Sequence, residues 1–187
     1  MLGRIATVAA LAVGGIMLSK KMKSRDEQGM SSVQEIIDVD VPLSTAYNQW
    51  TQFEDFPMFM NAVQEVRQVD DTHLHWKATI AGKLKEWDTE ITQQIPDRRI
   101  AWRSTSGAQN SGSVNFERLG ADRTRIVLRI RYLPEDFLES AADAVGVVKL
   151  QTKQNLSKFK DFLETRGTET GAWRGSVGAG SAVSATH

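Results

Sequence analysis

The sequence predicts an α+β fold: a seven-stranded, curved antiparallel sheet followed by one long C-terminal helix, with two short helices after strand 1. Three features carry the prediction. Between Lys83 and Pro134, four strand-like runs follow one another, spaced by turn residues. After Pro134 the apolar spacing changes to steps of three and four residues. Between Ser44 and Met60 lies an aromatic-rich stretch interrupted by Pro57.

The elements follow in order. Val33, Ile36, Ile37, Val39 and Val41 mark a first strand ending at Pro42. Ser44 is a suitable N-cap for a short helix over 45–51 carrying Tyr47 and Trp50. Residues 53–60 form a second short helix, limited by Pro57. Strands are expected at 63–69, closed by Asp70-Asp71, and at 72–80, closed by Ala81-Gly82. The four strands of the opening run follow, at 83–93, 98–104, 114–118 and 123–130. The final helix is expected over 135–165, with a stripe of Leu138, Ala142, Val145, Val148, Thr152, Leu156, Phe159 and Leu163. Gly146 marks a bend or break within it, and Gly167 stops it.

Flanking segments differ in kind. Residues 5–18 are apolar apart from Thr7, Gly14 and Gly15, and Lys20, Lys21 and Lys23 close the run. As a helix these residues span ~21 Å, and counting Leu2, Gly3 and snorkelling Arg4 and Lys20 brings the segment to about the minimum for a ~30 Å bilayer core. The main positive cluster follows the apolar run and no small-residue cleavage site is present, so a membrane anchor over 2–19 is favoured over a signal peptide. The positive-inside rule then puts the domain on the cytoplasmic side; without insertion, the chain is expected in the cytoplasm. Residues 1–31 comprise this segment and a polar linker, 32–166 the folded domain, and 167–187 a Gly/Ser/Ala-rich tail expected to be flexible.

Composition excludes several functions. The absence of cysteine removes disulfides, thiolate catalysis and thiolate-bound zinc. A formal net charge of +0 argues against general nucleic-acid binding. In residues 1–31, five basic residues outnumber Asp26 and Glu27 by three, and the domain carries the compensating negative charge.

Side-chain alternation assigns the faces of the sheet. Leu74, Trp76, Ala78 and Ile80 share one face, as do Trp87, Thr89 and Ile91, then Ile100, Trp102 and Ser104, then Val114 and Phe116, then Ile126, Leu128, Ile130 and Tyr132. The opposite faces are charged, which makes one side of the sheet solvated. Glu86, Asp88 and Glu90 therefore face water, where Arg99 and Arg103 are the expected cross-strand partners, rather than forming a catalytic carboxylate pair. His73 and His75 share that outer face without a third metal ligand at recognisable spacing, so no metal site is expected. Residues 107–112 are glycine-rich but join two strands, which makes a hairpin loop and not a phosphate loop.

The inner residues point to an apolar cavity. The expected lining is Trp50, Phe53, Phe56, Phe59, Trp76, Trp87, Ile91, Trp102, Phe116, Leu128, Tyr132 and Val145. No catalytic residue and no cofactor is implied.

Two segments carry a family resemblance: residues 41–60, from Val41-Pro42-Leu43-Ser44 to Phe56-Pro57-Met58-Phe59-Met60, and residues 86–104, from Glu86-Trp87-Asp88 to Ala101-Trp102-Arg103-Ser104. The chain resembles the START-like (SRPBCC, Bet v 1-like) superfamily, and within it proteins of the polyketide cyclase/dehydrase and coenzyme Q-binding kinds. The resemblance spans about residues 32–166 and implies a helix-grip fold with a lipophilic cavity. It implies binding of a hydrophobic small molecule or lipid, such as a quinone or acyl lipid, as the leading function. The alternative is an aromatase-like polyketide cyclase/dehydrase, for which Tyr132, Ser104, Thr89 and Tyr47 are the inward hydroxyls. A third reading is an interaction module with a collapsed core.

Overall fold

The computed structural model describes residues 29–80, 82–137 and 141–178. The apolar segment expected to anchor the chain, and residues 179–187, lie outside the described residues. Among the described residues no helix is long and apolar enough to cross a membrane.

Strand β1 (Ser31–Val39) leads into helix α1 (Leu43–Trp50) and a 3₁₀ helix (Phe53–Met58). The sheet continues with β2 (Val63–Gln68), β3 (His73–Ile80), β4 (Lys83–Ile95), β5 (Arg99–Gly107), β6 (Asn110–Gly120) and β7 (Arg123–Tyr132). Two helices, α2 (Pro134–Phe137) and α3 (Ala141–Arg166), follow. The strand order is β1-β7-β6-β5-β4-β3-β2, every pairing antiparallel, so the first and last strands meet. This is the expected fold: a curved sheet gripping one C-terminal helix.

Bulges supply the curvature. In β4 the register with β5 shifts between Asp88 and Thr89 and again between Ile91 and Gln93. Each extra residue bends the strand and sharpens its twist. The second shift also moves the buried parity from Trp87, Thr89 and Ile91 to Gln94, which is fully enclosed. At Pro96-Asp97 the chain turns back, the Arg98 N–H donating to the Ile95 carbonyl, with Asp97 held at a φ of 58°. Proline before a positive-φ residue is the chemistry of a type II turn.

Several local expectations are corrected. Helix α1 starts two residues earlier than a Ser44 cap allows: Pro42 occupies the N-cap position, and its carbonyl accepts the Ala46 N–H at 3.1 Å. Strand β6 begins at Asn110, so only Ala108 and Gln109 join β5 to β6. Beyond the Arg103–Ser111 pair these two strands part; Gly107 stays paired with Trp87 on β4, and Asn110 pairs with Tyr132 on β7. The helix continues through Gly146 without a break. Leu156, Phe159 and Leu163 are buried, whereas Val145 and Leu150 are 41% and 56% exposed. Helix α3 therefore grips the sheet with its C-terminal half.

The tail differs most from expectation. Residues 167–178 form a strap across α1. Arg174 pairs with both carboxylate oxygens of Asp97 at 2.7 and 3.1 Å, donates to Asn48 at 2.7 Å and lies over the Tyr47 ring. The Thr170 N–H donates to Gln49 at 2.8 Å, and Val177 exchanges two backbone hydrogen bonds with Gln94. Hydrogen bonds and an ion pair order this segment, where apolar burial would not suffice.

Candidate functional site

Between the inner face of the sheet, the 3₁₀ helix and α3 lies a cavity of about 180 Å³. Its deep wall comes from β3 to β5 and β7, whose alternation turns Leu74, Trp76, Trp87, Ile91, Trp102 and Leu128 inward. Trp50, Phe53 and Phe56 close one end, and Met60, Ala62 and Val63 form the adjoining shoulder. Val148, Gln151, Thr152 and Asn155 of α3 make the side opposite the sheet. Trp76 and Trp87 are direct cross-strand partners, and their rings stack with planes 6° apart and centroids 5.8 Å apart. Two parallel indoles make a flat surface suited to planar ring systems.

Nine of the expected lining residues reach this space: Trp50, Phe53, Phe56, Trp76, Trp87, Ile91, Trp102, Leu128 and Tyr132. Three do not. Phe59 packs away from it against Phe159 and Phe162 of α3, with centroids at 5.0 and 5.6 Å. Phe116 sits behind Trp50, edge-on to it and to Tyr47. Val145 is 41% exposed and does not border the cavity, unlike Val148 one turn further on. Lining residues that alternation alone did not single out include Ala62, Val63, Asn110, Gln151 and Asn155. On α3 the last two flank the apolar stripe four residues apart, a spacing that places them on one face.

Polar groups in the wall are few. Thr89 accepts the indole N–H of Trp76 at 2.9 Å, and Asn110 accepts that of Trp102 at 3.2 Å while donating to the Ala108 carbonyl. Thr152 donates to the Val148 carbonyl at 2.7 Å. Tyr132 is hydrogen-bonded to Ser31, and burial pushes its phenol above the ordinary tyrosine range. No Asp, Glu, Lys, Arg or His belongs to the described lining.

The charged candidates stay outside, as alternation requires. Glu90 pairs with Arg103 at 2.8 Å, while Arg99 bonds Gln93 and Asn115 instead of a carboxylate. His75 and Ser106 both bond Asp88, the Ser106 hydroxyl first and His75 second in holding its carboxyl below the usual range. With the aspartate between them, the imidazole has no contact with the serine oxygen and cannot take its proton. His73 bonds Asp70 at 2.9 Å, and among the described residues no cluster of metal-ligating side chains occurs. Of the four inward hydroxyls, Thr89 and Tyr132 border the cavity. Tyr47 is buried beneath Arg174 and accepts from Gln94, and Ser104 accepts the Asn110 N–H.

Comparison with known proteins fits this geometry. The family model described as polyketide cyclase / dehydrase and lipid transport matches residues 39–159. The chain belongs to that family. It is 50% identical over 149 residues to an uncharacterized 17.2 kDa protein of Streptomyces lincolnensis, covering 79% of this chain and 99% of the relative. Among solved structures, a Deinococcus radiodurans protein is 27% identical with a TM-score of 0.57, over 73% of this chain and 99% of that one. The Zhui aromatase/cyclase from Streptomyces sp. R1128 shares the fold at 18% identity and a TM-score of 0.62, over 73% and 95% of the two chains. A START superfamily protein from Mycobacterium smegmatis shares it at 16% identity and 0.57, over 72% and 95%. The family's description joins polyketide cyclases and dehydrases with lipid transport, and the solved structures share the fold that encloses the cavity.

Proposed function

We propose that the protein binds a hydrophobic small molecule or lipid, of the quinone or acyl-lipid kind, and carries or sequesters it without chemical change. The observation that supports this reading is the cavity wall: four tryptophans and two phenylalanines around a space bordered by no acid, base or histidine among the described residues. An aromatic ligand the size of an indole side chain buries about 250 Å², gaining roughly 6 kcal/mol before ordering costs. At about 180 Å³ the cavity is smaller than the roughly 300–1,000 Å³ of drug-sized pockets, which favours a compact ring or the end of a longer molecule.

Trp50, Trp76, Trp87 and Trp102 border the cavity, leaving Trp173 as the one tryptophan of five elsewhere. A naphthoquinone probe should therefore quench most of the intrinsic emission saturably. Linear, collisional quenching alone would refute the proposal. The apolar segment 2–19 would hold the domain at a membrane; recovery of the chain wholly in the soluble fraction would refute that part.

A second reading, a polyketide cyclase/dehydrase, is favoured by the Thr89 and Tyr132 hydroxyls in the wall, either of which can donate to a developing enolate oxygen. Its test is turnover of a poly-β-ketone surrogate, abolished in Thr89→Val or Tyr132→Phe. No conversion above the uncatalysed rate removes it.

A further inference from the structure

The cavity is apolar over most of its wall, but its helical side is not. Gln151 and Asn155 lie one turn apart on α3, both border the cavity, and both are half-buried. Every other polar side chain of the described wall already has a hydrogen-bond partner in the protein, Thr89 as an acceptor only. Asn110 is held by Trp102 and Ala108, Thr152 by the Val148 carbonyl, Thr89 by Trp76, and Tyr132 by Ser31. Gln151 and Asn155 have no hydrogen-bond partner within the protein among the described residues, so their amides are left to water or to a ligand. A ligand that fills the space displaces that water and must replace its hydrogen bonds or lose affinity.

We propose that Gln151 and Asn155 recognise the polar end of the ligand, and that this end is uncharged: a ketone or quinone carbonyl, an ester or a phenol. The inference rests on the binding function proposed above and specifies its ligand class. Each amide offers N–H donors and a carbonyl acceptor, which suits a group that accepts, donates or does both. A carboxylate, phosphate or ammonium would enter a wall with no counter-ion, since among the described residues no acidic or basic side chain borders it. Burying such a charge unpaired is far costlier than burying a neutral carbonyl that two amides can bond. Thr152, between the two amides in sequence, does not compete for the ligand because its hydroxyl is tied to the helix backbone.

The test is calorimetric titration of the protein with three probes of one shape: 2-methyl-1,4-naphthoquinone, 2-methylnaphthalene and 2-naphthoate. The quinone should bind tightest and the carboxylate weakest. Removing one neutral hydrogen bond costs roughly three- to ten-fold in affinity. Gln151→Leu with Asn155→Leu should therefore weaken the quinone by roughly ten- to a hundred-fold while the hydrocarbon binds as well or better. Asn155→Leu alone should weaken the quinone by a single step of roughly three- to ten-fold even if the double variant folds poorly. Equal losses for quinone and hydrocarbon, or naphthoate binding as tightly as quinone, would overturn the assignment. Binding of both neutral probes with no preference for the quinone overturns the amide role and leaves the cavity function standing. No saturable binding of either neutral probe overturns both.

Discussion

Replacing Gly112 by alanine tests how the cavity wall is built. Gly112 on β6 faces Trp102 on β5 across the ladder. A Cβ there would lie 2.5 Å from the Arg129 carbonyl oxygen of β7 and 2.5 and 2.8 Å from two ring carbons of Trp102. Ordinary carbon contacts are ~3.5–4.0 Å, so both neighbours must move by about an ångström. The indole can swing, toward the cavity it borders. The Arg129 carbonyl belongs to the β6–β7 ladder and can shift only with the strand. Overpacking of this kind costs about 1–3 kcal/mol, equivalent to a Tm drop of roughly 2–12 °C for a chain of this size. Differential scanning calorimetry measures it, and near-ultraviolet circular dichroism reports the displaced indole. Adding Trp102→Leu removes the ring clash and leaves the carbonyl clash, so the double variant should be more stable than the sum of the two single losses predicts. A Gly112→Ala protein with unchanged Tm and unchanged aromatic dichroism would refute this packing.

Ala78→Phe places a ring from the inner face of β3 into a cavity of about 180 Å³; probe affinity should fall more than about ten-fold while stability changes by less than ~2 kcal/mol, by urea unfolding. Trp87→Ala removes half of the stacked indole pair and should both weaken naphthoquinone binding and cost about 3–5 kcal/mol of stability. Deleting residues 168–187 removes the Arg174 contacts to Asp97, Asn48 and Tyr47; stability should drop by roughly 2–4 kcal/mol with probe affinity unchanged, since among the described residues no strap side chain borders the cavity. Alkaline titration followed at 295 nm should show neither of the two tyrosines ionising near pH 10 in the folded protein. Burial pushes Tyr47 up to about 12 and raises Tyr132. The unfolded chain ionises first, so stability is lost as pH rises from about 10 toward the folded value; a tyrosine titrating at 10 in the folded state would refute the burial.

Alternation made most of the sheet legible in the sequence, because one-sided burial leaves an apolar–charged pattern that needs no tertiary information. Trp76 and Trp87, Ile91 and Trp102, and Val114 and Leu128 face each other as their parities require. What alternation cannot report is where a strand slips. The bulge at Ile91/Gln93 buries Gln94, a residue that reads as solvent-facing. The start of β6 was hidden for a related reason: Asn110-Ser111-Gly112 has loop composition, and Gly112 is required because an indole and a carbonyl leave no room for a side chain. The helical stripe predicted burial evenly along α3, yet Val145 is exposed while Val148, Thr152 and Leu156 of the same stripe turn inward. The strap escaped notice because Thr170 and Arg174 order it through partners more than a hundred residues away. Gln151 and Asn155 were invisible as site residues, since a polar flank on an amphipathic helix is the ordinary solvated case.

The unequal hold on α3 has a kinetic consequence. Its C-terminal half is fastened by Leu156, Phe159 and Leu163, whereas between 145 and 152 Val145 and Leu150 are exposed and only Val148 and Thr152 pack inward. Separating that half would uncover the side of the cavity formed by Val148, Gln151 and Asn155 while leaving the aromatic cluster around Phe159 intact. Opening free energies therefore form a gradient along a single helix, and amide protons at 145–151 should exchange with solvent faster than those at 156–163. A ligand spanning the cavity would slow the first group selectively. Loading and release would then proceed by fraying one end of one helix, at a rate independent of global unfolding.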